Sequence, residues 1–92
     1  SPGVAYFLLD FAVNAGRQGA KCLQKSIGAN PDGVIGPKTI AILKKMDADY
    51  VLEQMHQHRQ TFYESLKTFK TFGRGWTRRN DEALAKGKEM AG

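Results

Sequence analysis

Three polar side chains recur on an otherwise apolar stretch near the start of the chain. Tyr6, Asp10 and Asn14 stand at i, i+4 and i+8, so on a helix they share one face. Around them Val4, Phe7, Leu8, Leu9, Phe11, Ala12 and Val13 are apolar. A polar stripe on such a helix is either hydrogen-bonded within the fold or faces a wet cleft. The first arrangement would fix the neighbouring helices; the second would line a ligand groove. The residue types leave both open.

A second constellation is Phe72-Gly73-Arg74-Gly75-Trp76, followed by Arg78 and Arg79. Glycines beside an aromatic ring and three arginines suit sugar stacking and anion contact. The competing arrangement packs Trp76 in the core and leaves the arginines solvated. From residue 59 to residue 79 the cations Arg59, Lys67, Lys70, Arg74, Arg78 and Arg79 are opposed only by Glu64. An electrostatic role follows for that segment.

The string Asp32-Gly33-Val34-Ile35-Gly36-Pro37-Lys38-Thr39 suits either glycan or peptide recognition, or a turn, an apolar plug and a helix start. Its single carboxylate is too few for a calcium loop. His56 and His58 project about 200° apart on a helix and cannot share a metal. They are expected on the surface. Cys22 is the only cysteine, which excludes an internal disulfide, and a buried, inert thiol is expected there. No metal or cofactor is expected.

The elements that must position these residues are helical. Ser1-Pro2 reads as a cap and a first helical position, opening a helix over 3–15 that is apolar nearly all round and expected to be buried. Gly16 ends it. A second helix is expected over 17–27, stopped by Gly28. Asn30-Pro31-Asp32-Gly33 is a turn, Val34-Ile35 a plug, and Pro37 starts a third helix over 37–46 with Ile40, Ile42 and Leu43 as core. Asp47 and Asp49 cap a long fourth helix with a stripe of Leu52, Met55, Phe62, Leu66 and Phe69, Arg59 filling the gap. A loop is expected over 70–75, and Trp76 opens the last helix. No strand alternation is visible. The fold class is all-α, with about five helices, in a single domain over residues 1–92.

The 92 residues are 41% hydrophobic and 25% charged, the composition of one ordinary globular domain rather than a disordered chain. No apolar run nears the roughly 20 residues of a membrane span. The net charge of +5 favours an anionic partner: nucleic acid, an acidic membrane surface or an acidic wall polymer. A helix-turn-helix reader of DNA would need a recognition helix rich in Arg, Asn or Gln. The third helix offers Lys38, Lys44 and Lys45 on an apolar frame, so no nucleic acid is expected as partner.

The string from Tyr6 to Gly16, Tyr-Phe-Leu-Leu-Asp-Phe-Ala-Val-Asn-Ala-Gly, with Asp32 to Thr39 and Phe72 to Trp76 in order behind it, resembles the C-terminal half of glycoside hydrolase family 108. These are lysozyme-like N-acetylmuramidases of phages and Gram-negative bacteria. The resemblance covers nearly the whole chain. That half is described as a peptidoglycan-binding domain, and relatives have carried the label secretion activator protein. The Asp-Gly-x-x-Gly-Pro-x-Thr segment also looks like the loop of the three-helix peptidoglycan-binding repeat.

The resemblance implies a lysozyme-like helical lobe and peptidoglycan as partner, at the bacterial cell wall or periplasm. It also implies that the chain is the C-terminal half of a longer protein. In that family the catalytic Glu lies in a Glu-Gly-Gly motif of the N-terminal half, and none of the four Glu here precedes Gly. No catalytic residue is therefore expected in this chain, which alone should not cleave glycan. Tyr6, Asp10 and Asn14 would line the substrate cleft, bordered by Arg74 and Trp76. The alternative is a peptidoglycan-binding or secretion-related module without catalysis. The missing N-terminal catalytic half is a further partner, and an apolar face left exposed on the first helix could be covered by a homodimer.

Overall fold

The computed structural model describes residues 2–91. Five helices follow in order: α1 (Pro2–Ala15), α2 (Arg17–Ile27), α3 (Pro37–Leu43), α4 (Ala48–Glu64) and α5 (Phe69–Ala91). Among the described residues there is no strand, and the fold is all-α.

α1 is the hub, packed against α2, α4 and α5. Val4, Phe7 and Phe11 recur at helical spacing and turn inward to meet Leu23, Ile27, Val51, Leu52, Met55 and Tyr63. Burying a side chain such as Phe7 or Leu52 contributes about 1.5–3 kcal/mol each. The outer face of α1 stays open: Leu9 is 65% and Val13 79% exposed. The apolar run therefore does not make a helix buried all round. The hub is covered by the other helices on its inner side only.

Glycines make the turns. Gly16 (φ 58°) sharply joins α1 to α2, and Gly28 (φ 77°) closes α2 in the left-handed conformation that costs glycine little. The antiparallel pair α4–α5 is laced by His56 to Asp81 (2.7 Å) and by Gln60 to Thr77 (2.9 Å). Asn80 also donates to the carbonyl of His56 (2.9 Å). α1 crosses α5 at Gly3 and Gly87, where a Cβ on Gly3 would overlap the Gly87 carbonyl.

Several sequence expectations need correction. Residues 70–75 are helical, and the chain reverses earlier, over 65–68. Gly73 is a packing glycine, since a Cβ there would lie 2.6 Å from the Phe69 ring. The reversal lets Tyr63 stack on Trp76, with ring centroids 5.2 Å apart. Consequently Leu66 and Phe69 do not continue the α4 stripe; Tyr63 is its last buried member. Next, the third helix ends at Leu43, not residue 46. Finally, Val34 and Ile35 plug nothing. Both are exposed, as are Ile40 and Ile42, because α3 packs on α2 alone among the helices and the loop before it is anchored by polar bonds.

Candidate functional site

Those polar bonds come from Gln24, a buried amide on α2. Its Nε2 donates to Asp32 Oδ1 (2.9 Å), the Val34 carbonyl (2.8 Å) and Thr39 Oγ1 (3.3 Å), while its Oε1 accepts from the Gly33 N–H (2.9 Å). Asp32 also accepts from the Val34 N–H at 2.9 Å. These donors, the Val34 amide first, hold its carboxyl below the ordinary carboxylate range. The Asp-Gly-x-x-Gly-Pro segment is thus built as a self-satisfied turn. Sequence reading passed over Gln24; a lone amide on the apolar side of α2 was the available signal.

The polar stripe of α1 opens onto a groove shared with α5. Tyr6, Asp10 and Arg79 stand in the middle of it. On one side lies an apolar trough of about 520 Å³, lined by Pro2, Ala5, Leu9, Val13 and Met90. On the other lies a polar pocket of about 370 Å³, lined by Gly75, Arg78, Glu82 and Ala83. The spacing of Gly75, Arg78, Arg79 and Glu82 places them on one face of α5.

Asp10 joins this groove to the core. Its Oδ2 accepts from Arg59 Nη2 at 2.8 Å. Arg79 reaches the same carboxylate at 3.4–3.5 Å from the solvent side. Arg59 itself is fully buried. Its Nε donates to Tyr63 Oη at 3.0 Å, and its Cζ lies 4.9 Å from the Phe11 ring centroid, 5.2 Å from that of Phe7 and 5.6 Å from that of Tyr63. A buried guanidinium needs such a carboxylate and such ring faces to offset its lost hydration. The sequence placed Arg59 in a gap of the stripe but did not show that it is the centre of the core.

Of the five sequence-derived site residues, Tyr6 and Asp10 meet in the groove. Asn14 lies one turn further along α1, and its side chain is outside the described residues. Arg74 is exposed beside Gly75 at the polar end. Trp76 does not line the groove; it packs between Tyr63 and Phe72. Arg79, read earlier as part of a basic cluster, is the α5 residue that faces Asp10.

Other chemistry-bearing groups are occupied elsewhere. The Cys22 thiol is buried and donates to the Met55 carbonyl at 3.2 Å. Burial pushes its pKa up to about 12, so it carries no thiolate at neutral pH. His56 and His58 are partly buried rather than exposed. Among the described residues no three His, Cys, Asp or Glu come together as metal ligands, and no helix is long and apolar enough to cross a membrane.

Comparison with known proteins places this architecture. The chain superposes on the structure of Brucella abortus SagA with a TM-score of 0.94 and 39% identity over 97% of its length. It spans 52% of the SagA chain. No curated protein sequence matches it. Residues 18–81, which include α2 to the middle of α5, match the family described as "Predicted Peptidoglycan domain". The family match takes in the Asp32 turn and covers more than half of the chain, and the superposition extends over α1, so the chain belongs to that peptidoglycan-binding domain family.

Proposed function

We propose that this chain is the wall-binding lobe of a longer, lysozyme-like muramidase and that the α1–α5 groove is one wall of its substrate cleft. The observation that carries this reading is the two-part groove: a polar, arginine-bordered pocket continuous with an apolar trough. Arg78 and Arg79, with exposed Arg74 beside them, draw the anionic wall polymer to the polar part. Tyr6 and Asp10 line that part. Trp76 acts from the core by holding α5 against α4.

The reaction of the complete protein is hydrolysis of the β-1,4 bond between N-acetylmuramic acid and N-acetylglucosamine, at the bacterial wall or periplasm. Such hydrolysis needs a carboxylic acid poised at the leaving oxygen. Asp10 is poorly suited to it, because its carboxylate is held by two guanidinium groups. The acid is assigned to the remaining part of the protein, and SagA, about twice this length, supports the existence of one. An uncovered apolar trough is the surface such a half would cover, and a second copy of the chain is its competitor there.

The test is co-sedimentation of the chain with purified peptidoglycan sacculi at low and high salt, with DNA-cellulose as control and released reducing ends as a second readout. Binding to sacculi only, weakened but not abolished by high salt and without release of reducing ends, is the expected result. Binding lost with salt on both matrices would overturn the wall-binding reading, and release of reducing ends would overturn the assignment of the acid elsewhere.

A further inference from the structure

A second cavity lies away from the groove, at the corner of α1, α2 and α4. It holds about 230 Å³, close to the size of one sugar or one acylated amino acid, and Phe11 and Phe62 form its apolar floor. These rings meet edge to face, with centroids 5.7 Å apart. Gln18 and Lys25 of α2 and His58 and Thr61 of α4 stand around it. Among the described residues, none of these four side chains has a hydrogen bond or ion pair. No carboxylate lines the cavity. The contrast is with Gln24, His56 and Gln60, whose side chains hydrogen-bond within the fold.

An apolar floor ringed by unspent donors and one lysine cation is a ligand site in miniature. Its chemistry selects a ligand with a small apolar group and a negative charge side by side. A bare inorganic anion would leave the phenylalanine floor unused, and a neutral sugar would leave Lys25 without a counter-charge. We propose that this cavity binds a carboxylate bearing an α-methyl group, –CH(CH₃)–COO⁻. The methyl sits on Phe11 and Phe62, the carboxylate pairs with Lys25 and accepts from His58, and Gln18 and Thr61 bond the adjoining acyl or ether oxygen. In peptidoglycan this unit occurs as the terminal alanine of a stem peptide and, where the stem peptide has been removed, as the free lactyl ether of N-acetylmuramic acid. The choice of these sources rests on the wall-binding reading; the ligand chemistry rests on the cavity.

The experiment is a nuclear magnetic resonance titration of the isotope-labelled chain, reading the Thr61 methyl, the Phe62 ring and the Lys25 amide. The probes are N-acetylmuramic acid, N-acetylglucosamine, N-acetyl-D-alanyl-D-alanine and N-acetyl-D-alanylglycine. Saturable shifts at these residues are expected with at least one of the two α-methyl carboxylates, and which one identifies the source. N-acetylglucosamine should give none, and N-acetyl-D-alanylglycine should bind about fourfold more weakly than the dialanine for its lost methyl. Lys25→Gln, on an exposed side chain without a partner, should weaken binding about tenfold with the helical spectrum unchanged. Thr61→Val keeps the shape and should weaken binding more modestly. Equal shifts with N-acetylglucosamine, or no shifts with either α-methyl carboxylate, overturn the proposal. If sacculi sediment the chain while these probes leave the cavity silent, the cavity assignment fails alone. If a probe fills the cavity while sacculi do not bind, the wall-binding reading fails alone.

Discussion

Arg59 and Asp10 are 49 positions apart in the chain and 2.8 Å apart in space, one fully buried and the other at the floor of the groove. Core and site are therefore one electrostatic unit. Removing Asp10 strands a guanidinium among aromatic rings. Asp10→Ala is expected to cost about 3 kcal/mol in urea unfolding, while Asp10→Leu combined with Arg59→Met, which removes both charges, costs less than the single change. A neutral Asp10→Ala would show that water or another group satisfies Arg59.

Two glycines of opposite character test the α1–α5 contact. Gly3 sits against the Gly87 backbone, whereas nothing lies within 4 Å of a Cβ at Gly75. Gly3→Ala must push the helices apart and is expected to lose about 2 kcal/mol. Gly75→Ala gains about 0.5–1 kcal/mol from helix propensity, provided that 70–75 is helix and not loop. Thermal unfolding of both variants decides, and a destabilised Gly75→Ala would return that segment to a loop.

The Asp32 turn predicts an acid-sensitive element. The folded carboxyl is held below its ordinary value, so its contribution is complete above the unfolded pKa and is lost as pH falls through the folded one. The stability difference between the wild type and Asp32→Ala should be constant near neutrality and close below about pH 4. A difference that persists unchanged at lower pH would mean that the carboxylate form plays no part.

Leu9 and Val13 are exposed and touch little in this chain. Leu9→Asp and Val13→Asp should leave its stability within about 0.5 kcal/mol and keep it monomeric by sedimentation velocity. A wild-type dimer abolished by these changes would assign the trough to a second copy instead of to another half of the protein.

Much of this was legible in the sequence where local chemistry decides. Helix count, the glycine stops at 16 and 28, the Pro37 start and the Asp47 cap all follow from backbone rules. The Tyr6–Asp10 face followed from spacing. What the sequence hid was tertiary. Gly73 and Gly75 look like a loop because composition cannot show that the Phe69 ring needs the space over Gly73. Ser65 reverses the chain without glycine or proline, because Tyr63 must meet Trp76. Arg59 reads as a gap in the α4 stripe until Asp10, Phe7 and Phe11 arrive from α1. Val34, Ile35, Ile40 and Ile42 read as core, yet the fold offers them no partner.

The central claim is that the arginine-bordered groove binds the wall. The most direct measurement is the sacculus-bound fraction of Arg79→Ala against wild type, across a salt series. Arg79 is half exposed and its contacts to Asp10 are long, so the change should cost under about 1 kcal/mol of stability. The account predicts a folded variant whose bound fraction falls several-fold and whose salt dependence flattens. A folded Arg79→Ala that sediments like wild type at every salt concentration would contradict it.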